Sequence, residues 1–481
     1  MITIALAGKP NSGKSTFFKA ATLADVEIAS YPFTTISPNV GVAYARVKCP
    51  CKEREVLEAV GGGGDGSGDG GDSGDGRDGR DGRDGGDGRD GRDGRDGGDG
   101  GGGGGGGGGC GNCVDGVRFV PVGLLDVAGL VRGAHEGKGL GNEFLDELRQ
   151  AEAIIQVVDA SGGTDADGNV VERGTHDPYE DVLFFREELT EWVKGILSRN
   201  KRKLERKSEL ETGAGAGGGA KTARLLAEQL AGVGVTEEQV KTAILKSLVA
   251  GKPNLKSWDG DDLKDLAAQL VKQSKKMVLA ANKADAAPEA EENIKKLKEL
   301  CEIEGEGEVV PCSAEAELAL RTAAKNGFVK YLPGDTDFEI SPSASAEITE
   351  KQRRGLEKIR KLIQNFGGTD GSGTDGSGTD GTGTGTGTGV QAIINRVVFD
   401  LLDYVVAYPV EDEHNFSDGS GRVLPDAFLL KNGSTARDLA YAIHSDIGRG
   451  FLYAIDARTK RRLGEKYALR SGDILKVVYA R

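Results

Sequence analysis

The sequence is short of the residues that fill protein cores. Of its 481 residues, 37% are hydrophobic and 5% aromatic, with two tryptophans and two methionines. A chain of this length has room for two or three domains, so an apolar fraction that low means that part of it takes no share in a core. Six cysteines are too few to make a disulfide scaffold here. No uninterrupted apolar run reaches membrane-spanning length, and nothing at the N-terminus resembles a signal peptide. Positive charge is outweighed, with 62 Lys and Arg against 76 Asp and Glu and a formal net charge of −14. That balance argues against nucleic-acid binding by bulk electrostatics and no DNA is expected, although a local basic patch would be hidden in such a sum. The expectation is a soluble cytoplasmic protein without membrane contact, its Asp-rich surface suited to a salt-rich interior.

What is abundant is glycine, with 77 residues, much of it in two tracts. Residues 61–109 repeat a Gly-Arg-Asp pattern and end in a run of glycines, and residues 367–389 alternate glycine with small polar residues. Neither tract has the apolar side chains to offset the entropy of ordering, so both are expected to be disordered. An Arg-rich RNA-binding role for the first is weak, because Asp outnumbers Arg in it.

The strongest signal stands at the start. Met1 to Ala7 has the composition of a short buried strand and runs into Gly8-Lys9-Pro10-Asn11-Ser12-Gly13-Lys14-Ser15-Thr16, which fits G-x-x-x-x-G-K-[ST] and precedes a helical stretch. The glycines let successive backbone N–H groups and a helix N-terminus converge on one anion. Lys14 adds a charge at the β- and γ-phosphates, and the Ser15 hydroxyl can ligate Mg²⁺.

Further motifs follow in order. Tyr31 to Gly41 brackets Thr34 and Thr35 between two prolines, and one threonine hydroxyl, with Thr35 favoured over Thr34, would complete the Mg²⁺ shell when a γ-phosphate is present. An apolar strand from Val117 ends in Asp126-Val127-Ala128-Gly129, a D-x-x-G in which the aspartate would hold Mg²⁺ through water and the Gly129 amide would sense the γ-phosphate. The Gly-dense stretch 133–141 that follows suits a mobile loop, and Ile154 to Asp159 is another buried strand. Residues 182–273 alternate helical patterns, a helical insertion between strands. The basic run from Lys201 to Lys207 inside it is read as a solvated helix face ahead of a nucleic-acid contact.

Met277 to Ala281 returns to the sheet and delivers Asn282-Lys283-Ala284-Asp285, an N-K-x-D whose carboxylate can accept from both the ring N–H and the exocyclic amine of guanine. The next strand ends at Ser313-Ala314-Glu315, which can support the base from its other side. Each motif is weak alone; five in this order with strands between them are strong. Together they predict an α/β fold, a P-loop NTPase core with a mostly parallel sheet and ligands at its carboxyl edge. The domains expected are a GTPase domain over 1–365, interrupted by 61–109 and 182–273, a flexible linker over 366–389 and a compact domain over 390–481. Within the last, Ala392 to Val406 and Thr435 to Ile447 look helical, with strands over 450–455 and 473–479.

Cys49-Pro50-Cys51 and Cys110-Gly111-Asn112-Cys113 flank the first tract. Four thiolates could close a zinc site at its base, free thiols are the plain reading and a redox pair is a third, and nothing in the spacing shows that the pairs meet.

With YPFTTISPNVG, DVAGLVRGAHEGKGLGNEFL, NKAD and the C-terminal YPVEDE and LLKNGSTARDLAYAIHSDIGRGFLYAIDARTKRRLGEKYALRSGDILKVV in hand, the chain resembles an Obg-type GTPase of the archaeal YchF kind. The resemblance spans all but the Gly-rich tracts. It implies a helical domain, a C-terminal β-grasp TGS domain over 390–481 and work on ribosomes or translation. Many YchF-group proteins depart from N-K-x-D and prefer ATP, whereas Asp285 keeps the aspartate and favours GTP. An ATPase, or an RNA- or ribosome-binding module with incidental hydrolysis, are the alternatives. Leu130 stands where many GTPases carry a water-orienting glutamine, which implies slow hydrolysis. In several P-loop GTPases with that apolar residue, an asparagine at the position of Asn11 helps hold K⁺ beside the phosphates, and the resemblance permits that role here, against the plainer reading that Asn11 bonds the loop backbone; His135 is a weaker helper. Arg458, Lys460, Arg461, Arg462 and Lys466 form a basic cluster for RNA or ribosome contact, with a solvated turn weighed equally.

Overall fold

Strand β1 (Thr3–Ala7) sends alternate side chains into two different cores: Ile4 and Leu6 enter one cluster, Ala5 and Ala7 the other. A strand apolar on both faces belongs inside a sheet covered on both sides. The sheet has the order β2-β3-β1-β4-β5-β6, with β2 (Val40–Lys48), β3 (Val117–Asp126), β4 (Ala153–Asp159), β5 (Lys276–Asn282) and β6 (Glu308–Pro311). Strands β3, β1, β4, β5 and β6 run parallel, and β2 lies antiparallel on β3 at the edge. The computed structural model describes residues 1–23, 39–61, 110–127, 129, 147–210, 218–252, 255–286, 288–305, 307–345, 347–368 and 386–480.

Helices α1 (Lys14–Thr22) and α2 (Arg54–Gly61) come before β3. Between β4 and β5 stands the inserted helical part: α3 (Pro178–Leu210), α4 (Gly218–Leu230), α5 (Glu237–Lys246) and α6 (Gly260–Ser274). Helix α3 starts earlier than Val182 because Pro178 suits a first turn and the Asp177 carboxylate accepts from the Tyr179 N–H. Its Phe185, Leu189, Val193 and Leu197 recur every fourth residue and share one core with Leu125, Val127 and Ile154 of the sheet side. In the basic run, Lys201 donates to the Trp258 carbonyl and Lys207 pairs with Glu228. Two capping boxes, Thr236 with Gln239 and Asp259 with Asp262, fix the starts of α5 and α6.

Helices α7 (Glu289–Glu304), α8 (Ala314–Lys325) and α9 (Glu350–Gly368) follow, with the small pair β7 (Val329–Lys330) and β8 (Glu339–Ile340) between the last two. The chain returns at Thr386. The end of the second Gly-rich tract is therefore not a free linker: Thr388 is buried, donates to Glu317 and accepts from the Ser313 N–H. Helix α10 (Val390–Asn395) and the π-helical turn 396–401 pack Val390, Ile393, Ile394 and Val397 under the first sheet.

Here the helix expected over Ala392 to Val406 is corrected. It stops at Leu401, and β9 (Tyr404–Val410) begins the second sheet. Asp403 takes a left-handed φ of 57° and its carboxylate accepts from Asn432, turning the chain, after which Tyr404-Val405-Val406 pairs with β10 (Phe428–Lys431). The second sheet has the order β10-β9-β13-β11-β12, with β11 (Phe451–Asp456), β12 (Arg462–Leu463) and β13 (Asp473–Tyr479); β9 and β13 are parallel, the rest antiparallel. The single helix expected over 435–447 is two, α11 (Ala436–Ile443) and α12 (Ser445–Arg449), because His444 is extended and its ring accepts the Asp446 N–H. Among the described residues no helix is long and apolar enough to cross a membrane.

Candidate nucleotide-binding site

The P-loop joins β1 to α1 at the carboxyl edge of the sheet. Gly13 holds φ at 93° and caps α1 without a side-chain hydrogen bond, so the first-turn N–H groups of Lys14, Ser15 and Thr16 have no acceptor within their own helix. Such a terminus draws an anion. Gly8 is needed for closeness: a Cβ there would lie 2.5 Å from the Val157 carbonyl oxygen and 3.0 Å from Ser12 Oγ. Ser12 Oγ is buried without a partner among the described residues. An orphaned hydroxyl inside a loop of inward N–H groups fits an anionic ligand. Opposite stand a cation and a carboxylate, Lys14 Nζ lying 2.5 Å from Asp126 Oδ1 at the end of β3. Gly129 is exposed and packs against Pro10 of the loop, with Pro10 Cγ 3.3 Å from where its Cβ would be. Thr34, Thr35, Leu130 and His135 lie outside the described residues.

The N-K-x-D motif is locked to this loop. Asn282, buried at the end of β5, donates to the Ser12 carbonyl at 3.0 Å and accepts from the Ala314 N–H at 3.0 Å. Lys283, with φ at 61°, extends its chain to donate to the Asn11 carbonyl at 2.9 Å and to Asp159 at 2.7 Å. Ser313 caps α8 by accepting from the Ala316 N–H, and Glu315 is exposed in the first turn of that helix. Asp285 is exposed, with no hydrogen-bond partner among the described residues. Burial pushes the neighbouring Cys312 thiol up, keeping it neutral. The Asn11 side chain donates to the Gly168 carbonyl at 2.9 Å.

Beneath the loop, sequence reasoning missed His176, Asp181 and the role of Asp159, and it placed Lys9 in the phosphate loop without its buried partner. Lys9 is buried, donates to the Thr164 carbonyl and lies 2.7 Å from Asp181 of α3. His176 Nε2 faces the same carboxylate at 2.9 Å. Burial holds the Asp181 carboxyl above its ordinary value despite the pull of Lys9 and His176. Asp159, equally buried, accepts from the Ser161 and Thr164 hydroxyls and from Lys283. No motif marks His176, Asp181 or Asp159, and the only hint was Asp159 ending an apolar run; Lys9 stands at a variable position of the P-loop motif.

Three family models match: "50S ribosome-binding GTPase" over residues 3–185, "Obg-like GTPase YGR210-like, G4 motif-containing domain" over 280–412 and "TGS domain" over 420–479. An uncharacterized GTP-binding protein of Methanocaldococcus jannaschii is 42% identical over 480 residues, covering all of both chains. The chain belongs to the Obg-like GTPases. The crystal structure of a GTP binding protein from Pyrococcus horikoshii matches with a TM-score of 0.62 at 35% identity, covering 100% of both chains. More distant is a ribosome-binding ATPase, YchF of Bacillus subtilis, 26% identical over 69% of this chain and 71% of its own. The fold is accordingly a P-loop NTPase core with a mostly parallel sheet, a helical insertion and a C-terminal TGS domain of β-grasp type. The chain is a GTP-binding member of a family of nucleotide hydrolases.

The Lys9–Asp181 pair generates a test of what holds the floor of the site. Lys9→Met leaves the buried Asp181 carboxylate with His176 but without its lysine and should cost about 3–5 kcal/mol of stability, while Lys9→Met with Asp181→Leu should recover most of it. Urea unfolding followed by the fluorescence of Trp192 and Trp258, both in the core below the site, measures both. Equal losses in the single and double variants would assign the cost to side-chain volume.

Proposed function

We propose that this chain is a GTP-hydrolysing switch whose nucleotide state governs docking to the ribosome. The observation that carries the reading is Asp285, an exposed carboxylate held beside Asn282 and Lys283, which are themselves tied to the P-loop. Its two oxygens suit the paired donors of guanine, whereas adenine presents the opposite pattern along that edge. Lys14 and the N–H groups of Gly13 to Thr16 would take the phosphates, and Ser15, Asp126 and Thr35 would hold Mg²⁺. The Gly129 amide would report on the γ-phosphate. On this reading residues 1–365, with their two insertions, form the GTPase domain and the TGS domain carries the partner surface. The names of the matching model and of the Bacillus relative support ribosome or RNA as the partner class and the cytoplasm as the place of work.

Nucleotide choice is tested by calorimetric titration with GTP and ATP in the presence of Mg²⁺. Losing a buried polar match costs a few kcal/mol, so GTP should bind at least about tenfold tighter, and Asp285→Asn should weaken GTP binding. Equal affinities would favour the ATPase named in the Bacillus relative.

Hydrolysis should be slow alone, because Leu130 cannot orient water. We further propose that Asn11, whose Nδ2 is engaged by Gly168, uses its Oδ1 to help hold K⁺ between the β- and γ-phosphates, where it would offset charge in the transition state. His135 is the other candidate helper. The turnover rate in KCl should exceed that in NaCl at matched ionic strength, and Asn11→Ala should abolish the difference; identical rates in both salts exclude the role.

For the partner surface, the basic cluster divides. Arg458 is bound to Glu53 and the Gly472 carbonyl, and Lys460 to carbonyls of Glu413 and Ala457. Arg461, Arg462 and Lys466 are exposed, Arg462 over the Tyr453 ring at 3.5 Å. Arg461→Glu with Arg462→Glu should lower ribosome co-sedimentation and flatten its salt dependence. Unchanged binding across a salt series would remove the patch.

A further inference from the structure

The two cysteine pairs converge at the far end of the β2–β3 hairpin from the P-loop. The antiparallel ladder runs to Lys48 opposite Val117, and the Cys49 N–H extends it by donating to the Gly116 carbonyl at 2.8 Å. Cys51 lies in the short helical turn Pro50–Lys52, and Cys110 and Cys113 flank the turn that leads into β3. All four Sγ atoms lie within 4.8 Å of one another, with Cys49 to Cys110 and Cys51 to Cys113 each at 3.4 Å. Backbone pairing brings them together, so the sulfurs meet whether or not anything joins them.

We propose that Cys49, Cys51, Cys110 and Cys113 bind one zinc ion, and that this ion fixes the contact between the GTPase domain and the TGS domain. Sulfurs about 2.3 Å from a central zinc form a tetrahedron with edges of about 3.8 Å; two observed separations of 3.4 Å, with all four sulfurs within 4.8 Å, need only a small adjustment to reach it. The donor set is all thiolate, which selects a soft, tetrahedral cation over Mg²⁺ or Ca²⁺. The surroundings suit the negative charge such a site carries. The buried Arg118 guanidinium is 3.8 Å from Cys110 Sγ, and the Asn112 backbone N–H faces the same sulfur. Donors of this kind orient thiolate ligands and tune a metal centre.

The same residues reach across to the second sheet. Arg118 donates to the carbonyls of Leu424 and Pro425, Asn112 donates to Pro425, and Arg458 pairs with Glu53 at 2.7 Å. Cys49, Cys51 and Cys110 share one apolar cluster with Tyr408, Phe416, Leu424 and Ile474 of the TGS domain. A four-coordinate ion at this point would hold the hairpin end in the shape to which the segment 422–427 is moulded. Its role is that of a structural site, closed to further ligands.

The test uses the full chain purified under reducing conditions without chelator. Elemental analysis should find about one zinc per chain, released stoichiometrically by a mercurial, and cobalt substitution should give the strong visible bands of a tetrahedral tetrathiolate. Cys110→Ser with Cys113→Ser should lose the zinc yet keep nucleotide affinity, which shows that the variant is folded. Hydrogen exchange at residues 422–427 should rise at least about tenfold in that variant and equally in wild-type protein stripped by a high-affinity chelator. Protein that neither carries zinc nor takes it up when reduced overturns the proposal, as does iron in place of zinc or an intact mass showing disulfides in freshly isolated chains. Zinc present with unchanged exchange at 422–427 overturns the role in domain contact.

Discussion

The amide of Asn282 stands where β5 runs out and reaches both ways, giving a proton to the Ser12 carbonyl and taking one from the Ala314 N–H. Its position follows from the parallel register, which sets β1, β4 and β5 side by side so that their carboxyl ends share one edge. The closeness also explains Gly13, where a Cβ would fall 2.2 Å from Asn282 Nδ2. Any other residue there would push the P-loop off the amide. Loss of the amide would leave a buried carbonyl and N–H unpaired, each costing about 1–3 kcal/mol. The phosphate loop and the base loop thus form one unit.

A second layer fixes that unit from below. Asp159 gathers Ser161, Thr164 and Lys283, and Lys9 with Asp181 fastens the P-loop to the inserted helices. The helical insertion is therefore part of the floor of the site, since α3 supplies the carboxylate that Lys9 meets. Burial raises the Asp181 carboxyl even beside a lysine, so the pair contributes geometry more than net stability.

The parts legible in the sequence were those whose logic is local. The glycines, Lys14 and Ser15 announce themselves because close backbone approach and helix polarity demand these residues within a few positions. The pairs Lys9–Asp181 and Asp159–Lys283 were illegible because each spans more than a hundred residues and follows no period. Residues 390–410 misled for another reason: a dense apolar run suits either a buried helix or a buried strand, and only the turn at Asp403 and the pairing with β10 decide where one gives way to the other. Among the basic residues of 458–466, composition could not tell that Arg458 turns inward to Glu53 while Arg461 stays in solvent.

The β2–β3 hairpin connects the two ends of this arrangement. At one end the Asp126 N–H donates to the Asn39 carbonyl, so the hairpin begins beside the carboxylate that faces Lys14. At the other end it carries the cysteine quartet and the contacts to the TGS domain. Nearer the cysteine end, Arg46 is clamped: its backbone exchanges hydrogen bonds with Asn395 of α10, and its guanidinium holds Asp335 and the Pro333 carbonyl. The ribbon spans about 30 Å at some 3.4 Å per residue, and β3 is also paired with β1 from Gly123 to Asp126, so the P-loop end of the ribbon is part of the sheet. One hydrogen-bonded ribbon therefore ties the P-loop edge of the sheet to the TGS contact, so the two ends cannot shift independently without breaking its ladder or the Arg46 clamp.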